Sequence, residues 1–274
     1  MIDEHKNANR FTGFSNLYDE TRPACPKYVV DVLMRYLGRC PQTVVDMGCG
    51  TGLSTLVWKD VADRIIGIEP SKDMIKLALS NAEGTQNVEF VQAFSDKTEL
   101  DSGIADIVTC SQSFHWMEPE STLREVARLL KPGGIFAAYD CDWPPVCGSA
   151  AVEKAYNILE EKEDKIEATD PKFKNTFIQY PKNRHLDNIR KSNYFTYVRE
   201  IVFANTENCD ADRYYRIALS QGGIQAILKK EPSLIENELK ALRIAIDKYF
   251  GDRVQSIDFC YRLRLGVMNG VKKV

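Results

Sequence analysis

The stretch Val44-Val45-Asp46-Met47-Gly48-Cys49-Gly50-Thr51-Gly52 decides how the rest of the chain is read. Two β-branched residues lead into an acid, and glycines then occupy every second position. That pattern describes a buried strand ending abruptly in a turn with no room for side chains. A ligand can lie against such bare backbone, so the glycine spacing is the first clue to what it is. The dinucleotide fingerprint needs Gly-x-Gly-x-x-Gly, whose third glycine lets the following helix pack closely on the strand. Here Gly52 comes one residue early and Leu53 holds the required place, which weakens a nicotinamide cofactor.

Downstream, the sequence alternates helix and strand. Leu53 to Val61 is expected to form a helix whose free N–H groups point at the turn. A strand at Arg64 to Ile68 ends in Glu69-Pro70-Ser71. An acid at the end of a second parallel strand is placed to accept hydrogen bonds from both hydroxyls of a ribose; the plainer alternative is an ordinary turn acid. Lys72 to Ala82 reads as a helix with Met74, Ile75, Leu77 and Ala78 on its apolar face, and Val88 to Val91 as a third strand running into Gln92-Ala93-Phe94-Ser95-Asp96. Ile104 to Cys110 is apolar almost throughout, as a parallel strand buried on both faces requires. It opens into Ser111-Gln112-Ser113-Phe114-His115-Trp116-Met117, and in open α/β sheets ligands bind outside the carboxyl ends of the strands. Ser121 to Leu130 is an amphipathic helix with Ser121 a candidate cap. Lys131-Pro132-Gly133-Gly134 stops it and turns the chain into a fifth strand, Ile135 to Tyr139.

Upstream, Tyr18-Asp19-x-x-Arg22-Pro23-x-x-Pro26 precedes a helix that carries Tyr28, Val29, Val32, Leu33, Tyr36 and Leu37 on one stripe and stops at Gly38.

Taken in this order, the motifs resemble those of the class I S-adenosylmethionine-dependent methyltransferases, small-molecule type. The Asp-x-Gly-x-Gly-x-Gly of residues 46–52, the Tyr-Asp-x-x-Arg-Pro-x-x-Pro arm and the Lys-Pro-Gly-Gly connection all look like that family's segments. Gln112-x-x-His115-Trp116 looks like the loop of the trans-aconitate-type enzymes and their relatives. The resemblance implies that Gly48, Cys49, Gly50 and Gly52 close around the amino acid end of S-adenosylmethionine, with Asp46 near its ammonium group. Tyr18 or Arg22 would reach the cofactor carboxylate or an acidic substrate. Glu69, Pro70 and Ser71 would hold the ribose side, Met74 would line the adenine slot, and Ser111 and Gln112 would border the cofactor. The family usually has an acid where this chain has Phe94, so a backbone N–H of Phe94 or Ser95, or the Asp96 carboxylate, must serve adenine instead. His115 could contact substrate, take a proton from it, or simply close its loop by bonding a backbone carbonyl. Trp116 is a further candidate for substrate contact, though tryptophan more often packs than reacts.

The 274 residues suffice for one large domain with an ample core, and 44% apolar with 27% charged residues is ordinary for a globular protein. A formal charge of -3 lends no support to a nucleic-acid partner. Eight cysteines, at 25, 40, 49, 110, 141, 147, 209 and 260, form no Cys-x-x-Cys pair and no zinc spacing, which favours reduced thiols in the cytoplasm and no metal. No signal-peptide core and no run of eighteen apolar residues is found, so secretion and membrane insertion are disfavoured.

Beyond Cys141 the pattern changes. A charged amphipathic helix runs from about Ala150 to Ile166, and Pro171 to Lys191 is polar and basic, either a solvated face or a lid facing an anionic substrate. Tyr194 to Phe203 alternates as a sixth strand, Asp210 to Leu219 and Leu234 to Phe250 are helical, and Ser256 to Val267 closes the sheet. The expected architecture is therefore one α/β domain over 1–274, a doubly wound, Rossmann-like seven-stranded sheet. Residues 1–40 form a cap, 41–140 the cofactor-binding core, 141–193 and 204–255 helical insertions, and 194–203 and 256–267 the final strands. By the resemblance, the last strand runs antiparallel. The expected activity is methyl transfer by in-line displacement to a small-molecule acceptor, a carboxylate or another oxygen or nitrogen nucleophile. A nicotinamide oxidoreductase and a non-catalytic S-adenosylmethionine-binding protein are the alternatives. Neither the acceptor nor the oligomeric state is legible.

Overall fold

The computed structural model describes residues 7, 20–174 and 176–270. Strands β1 (Thr43–Met47), β2 (Arg64–Ile68), β3 (Val88–Val91), β4 (Ala105–Ser111), β5 (Leu130–Cys141), β6 (Phe195–Cys209) and β7 (Gln255–Met268) form one sheet in the order β3-β2-β1-β4-β5-β7-β6. The pairs β1–β2, β1–β4, β2–β3 and β4–β5 are parallel, while β7 runs antiparallel to both β5 and β6. The strand order reverses between β1 and β4, the place where a doubly wound sheet opens a crevice at its carboxyl edge.

Side-chain alternation gives each face of the sheet its own core. Val44, Ile65, Ile107, Ile135 and Leu263 pack under α1 (Lys27–Leu37) and the helical cap. Val45, Ile66, Val108 and Phe136 pack under α4 (Pro119–Leu129) and, through Ile189, α6 (His185–Lys191). The remaining core helices are α2 (Leu53–Leu56) and α3 (Lys72–Asn81). The cap consists of α5 (Ala150–Thr169), α7 (Ala211–Leu219), α8 (Gly222–Lys230) and α9 (Glu236–Phe250). Among the described residues no helix is long and apolar enough to cross a membrane.

Gly38 ends α1 in the left-handed conformation, φ 77° and ψ 6°, as its position predicts. Several local expectations need correction. The helix after the glycine turn stops at Leu56 instead of Val61, because the backbone tightens to i→i−3 bonds at Trp58, Lys59 and Val61. Glu118, not Ser121, caps α4: its carboxylate accepts the N–H groups of Glu120 at 3.0 Å and Ser121 at 2.6 Å, and Pro119 takes the first helical position. Strand β6 runs to Cys209 rather than Phe203, since its polar residues 204–209 continue the ladder with β7 and need no apolar alternation to do so. The second insertion therefore begins at Asp210. Helices α6 and α8 were not expected, and the basic stretch is partly interior: His185 and Ile189 are buried in it.

The Lys-Pro-Gly-Gly connection has a specific anchor. The buried Asp106 carboxylate accepts bonds from the backbone N–H of Gln42 at 2.8 Å and Thr43 at 2.9 Å, from Arg39 at 2.5 Å and from Lys131 at 3.1 Å. It thereby ties the start of β1 to the start of β5. Burial alone would raise this carboxyl, but Arg39, the Thr43 N–H and Lys131 outweigh burial and hold it below its usual value. A depressed folded value means stability that is present above the unfolded value of about 4 and lost as pH falls through the folded one. Asp106→Ala should therefore cost about 2–3 kcal/mol in urea unfolding at pH 7. The gap to wild type should close as the pH drops below about 3.

Candidate active site

The glycine turn leaves β1 with its backbone pinned: the N–H groups of Gly48 and Cys49 both donate to Ile68 O, at 2.8 and 3.0 Å. Gly48, Gly50 and Gly52 all have positive φ, but their surroundings differ. A Cβ on Gly48 would lie 2.6 Å from Ser113 Cβ and 2.7 Å from Met117 Cε, so there glycine is needed for packing. A Cβ on Gly50 would meet nothing within 4 Å. It would project into the open space of the cavity, where bare backbone is what a ligand needs.

That cavity lies across the carboxyl edge of the sheet. One end is walled by Glu69, Pro70 and Met74 after β2, and by Ala93 to Asp96 after β3. Its middle is the turn itself, Gly48 to Thr51, facing Ser111 to Ser113 after β4. The far end is lined by Arg22, Pro23, Cys25 and Gln112, with Tyr261 from β7. Trp116, Met117 and the first turn of α4 supply a side wall, and Ser95 Oγ meets Thr122 Oγ1 at 3.1 Å where that wall joins the β3 side.

Glu69 sits where the turn and the second strand converge. One carboxylate oxygen accepts the Gly50 N–H at 3.1 Å and the other the Ser71 N–H at 2.9 Å. Burial pushes its carboxyl above the usual range, the Ser71 and Gly50 N–H groups oppose this, and nearby Asp46 adds to the rise. At the other end, Arg22 stacks 4.8 Å from the Trp143 ring centroid and donates to Ser220 O and Gln221 Oε1, each at 3.1 Å. It thus joins the N-terminal segment to the cap. Gln112, held at φ 52°, donates its backbone N–H to Tyr139 O at 2.9 Å and its amide to Cys141 Sγ at 2.9 Å. Cys25 Sγ contacts Tyr139 Oη at 2.9 Å, and burial pushes its thiol up to about 12.

Of the residues singled out in the sequence, Arg22, Gly48, Cys49, Gly50, Glu69, Pro70, Met74, Phe94, Ser95, Ser111, Gln112 and Trp116 line this one cavity. Tyr18 lies outside the described residues. Gly52 packs behind the turn, its Cβ position 3.1 Å from Phe90 Cζ. Ser71 faces its own helix and caps α3, accepting the Met74 N–H at 3.5 Å.

Asp46 and His115 lie off the cavity wall. Asp46 is off the cavity wall and fully buried, where it accepts hydroxyl bonds from Ser54 at 2.7 Å, Thr55 at 2.8 Å and Thr109 at 2.8 Å. Its carboxylate therefore fastens the start of α2 and β4 to β1 and shapes the turn from beneath. His115 is likewise buried off the wall, its ring 4.7 Å from that of Trp116 and 6.4 Å from that of His185, while its backbone oxygen accepts the Tyr180 N–H at 2.8 Å. The bond to Tyr180 is made by the His115 backbone and assigns no role to the imidazole. Tyr261 and Asn7 also reach the cavity. No local motif marks either, because each is brought there by a segment far away in sequence.

The wall fits a nucleoside carrying an amino acid: a bare turn, a carboxylate at the end of the second strand, and an apolar slot of Pro70, Met74 and Ala93. A reversing parallel sheet with this turn is a Rossmann-like arrangement. Residues 45–138 match the methyltransferase domain family model. The chain is 28% identical over 124 residues to a probable S-adenosylmethionine-dependent methyltransferase of Saccharomyces cerevisiae, covering 44% of this chain and 43% of that protein. It is 32% identical over 105 residues to YcgJ of Bacillus subtilis, an uncharacterized methyltransferase, covering 37% of this chain and 42% of that protein. The matches thus span less than half the length of these relatives. The crystal structure of YcgJ superposes with a TM-score of 0.57 at 17% identity, covering 89% of this chain and 99% of that one, which shows the fold to be shared. Residues 45–138 therefore carry a methyltransferase domain, similar to that of a probable S-adenosylmethionine-dependent methyltransferase.

Proposed function

We propose that the chain methylates a carboxylate oxygen of a small molecule held at the Arg22–Gln112–Tyr261 end of the cavity. The observation that carries this reading is the chemistry of that end. Its lining groups are a guanidinium, an amide, a thiol raised to about 12 and a phenol that burial pushes well above its ordinary value. None of these takes a proton at neutral pH, and His115 lies off the wall. An acceptor that is already an anion needs no base, whereas a phenol or an ammonium does. The cavity's carboxylates, Glu69, Asp96 and Glu118, belong to the β2, β3 and α4 walls, so Arg22 at the far end favours a negative partner.

S-adenosylmethionine supplies a methyl group already activated by a sulfonium charge. The protein's part is then alignment and exclusion of water. In this reading the backbone of Gly48 to Gly50 receives the amino acid end, Glu69 accepts from the ribose hydroxyls, and Pro70, Met74 and Phe94 to Asp96 enclose the base. Arg22 and Gln112 orient the acceptor oxygen, and Trp116 and Tyr261 shield it.

A screen of small carboxylic acids, phenols and amines with methyl-labelled cofactor tests this. Labelled methyl esters are expected, with turnover retained in His115→Gln. Methylation of phenols or amines alone, or loss of turnover in His115→Gln with the fold intact, would refute it. Glu69→Gln should weaken S-adenosylhomocysteine binding by roughly ten- to a hundred-fold, corresponding to the about 1.5–3 kcal/mol of a hydrogen bond to a charged group. Isothermal titration checks it.

A further inference from the structure

We propose that the side-chain amide of Asn7 is a positioning group that pins two distant segments onto one wall of the cavity and so sets how long the bound cofactor is retained. The inference rests on the cofactor assignment above and concerns a residue that no motif marks. Asn7 is buried and lines the cavity. Its Nδ2 donates to Trp116 O at 2.9 Å and to Ile178 O at 2.7 Å, while its Oδ1 accepts the Ile178 N–H at 2.9 Å. These partners lie 109 and 171 residues away in sequence. Two carbonyls on one side and an N–H on the other fix the orientation of the amide, so both its donors and its acceptor are used.

The segments it joins already touch. The Tyr180 N–H donates to His115 O at 2.8 Å, and the Phe177 ring meets Trp116 edge-on at 5.8 Å. Asn7 adds a three-bond clasp to that seam, and Trp116 carries its effect onto the cavity wall. Without the clasp, the seam opens more often and the cofactor leaves faster. Nothing in the reaction itself is asked of Asn7.

The two carbonyls give the idea a diagnostic. In Asn7→Asp an ionised carboxylate would face both oxygens and repel them, whereas the neutral acid can still donate to one and accept from Ile178. The defect of Asn7→Asp should thus depend on pH, and that of Asn7→Ala should not.

The test is stopped-flow release of S-adenosylhomocysteine followed by tryptophan fluorescence, together with amide hydrogen exchange of the 176–182 peptide in ligand-free protein. Release at pH 8 is expected to be at least ten-fold faster from both variants than from wild type. Exchange of the peptide should be faster in Asn7→Ala, and Asn7→Asp should return toward the wild-type rate at pH 5, which also shows that it folds. Wild-type release rates in both variants, or equal behaviour of Asn7→Asp at pH 5 and pH 8, would overturn the inference and leave the cofactor assignment standing. Failure of wild type to bind S-adenosylhomocysteine would overturn both.

Discussion

Gly50→Arg should abolish S-adenosylhomocysteine binding, below detection by calorimetry, while lowering the melting temperature by only a few degrees. The two effects separate because of where the glycine sits. A side chain at Gly50 meets no protein atom, so the fold loses only the left-handed preference at φ 56°, about 1–2 kcal/mol. For a domain of this size that is a few degrees. The same side chain would fill the space that we assign to the cofactor's amino acid end. Gly48 is the internal contrast, because any side chain there collides with Ser113 and Met117 and should unsettle the fold itself. Comparable loss of stability at both positions would mean that Gly50 is a packing glycine too.

The second large effect concerns a charge cluster that joins β5, β6 and β7. Arg264 of β7 and Asp140 of β5, both nearly fully buried, meet at 2.5 Å, and Arg264 Nε also donates to Glu200 Oε2 at 2.9 Å. Lys182 approaches the same Asp140 at 3.7 Å. Burial pushes the Asp140 carboxyl up, and Lys182 and Arg264 pull it back. Removing Arg264 strands a buried carboxylate, so Arg264→Met should lose about 3–5 kcal/mol in chemical unfolding. Adding Asp140→Leu and Glu200→Leu should recover much of that, since a fully apolar replacement of a buried ion pair is often neutral. A single-mutant loss under 1 kcal/mol would show that Asp140 takes up a proton and needs no partner.

These two sites also show what could be read in the sequence. The glycine turn, the position of Glu69 at a strand end and the succession of strands along the chain were legible because backbone conformation and strand ends depend on local residue type. Asp46 was visible as important but its partners were not: only the fold shows Ser54, Thr55 and Thr109 converging on it. His115 stood out by rarity and by its loop, yet one residue decides which side chain faces the cavity, and Trp116 faces it instead. Asn7, Tyr261 and the Arg264 cluster were invisible, since each acquires its role from partners many residues away. Helix α6 was hidden by its charge, because Lys182, Arg190 and Lys191 mask the buried His185 and Ile189 between them.

We assign the turn at residues 48–52 the role of holding S-adenosylmethionine. The most direct test of that role is a calorimetric titration of the purified chain with S-adenosylhomocysteine and, separately, with NADH. Saturable one-to-one binding of S-adenosylhomocysteine that Gly50→Arg removes, with no heat from NADH, is the predicted result. Binding of NADH without S-adenosylhomocysteine, or S-adenosylhomocysteine affinity unchanged by Gly50→Arg, would contradict it.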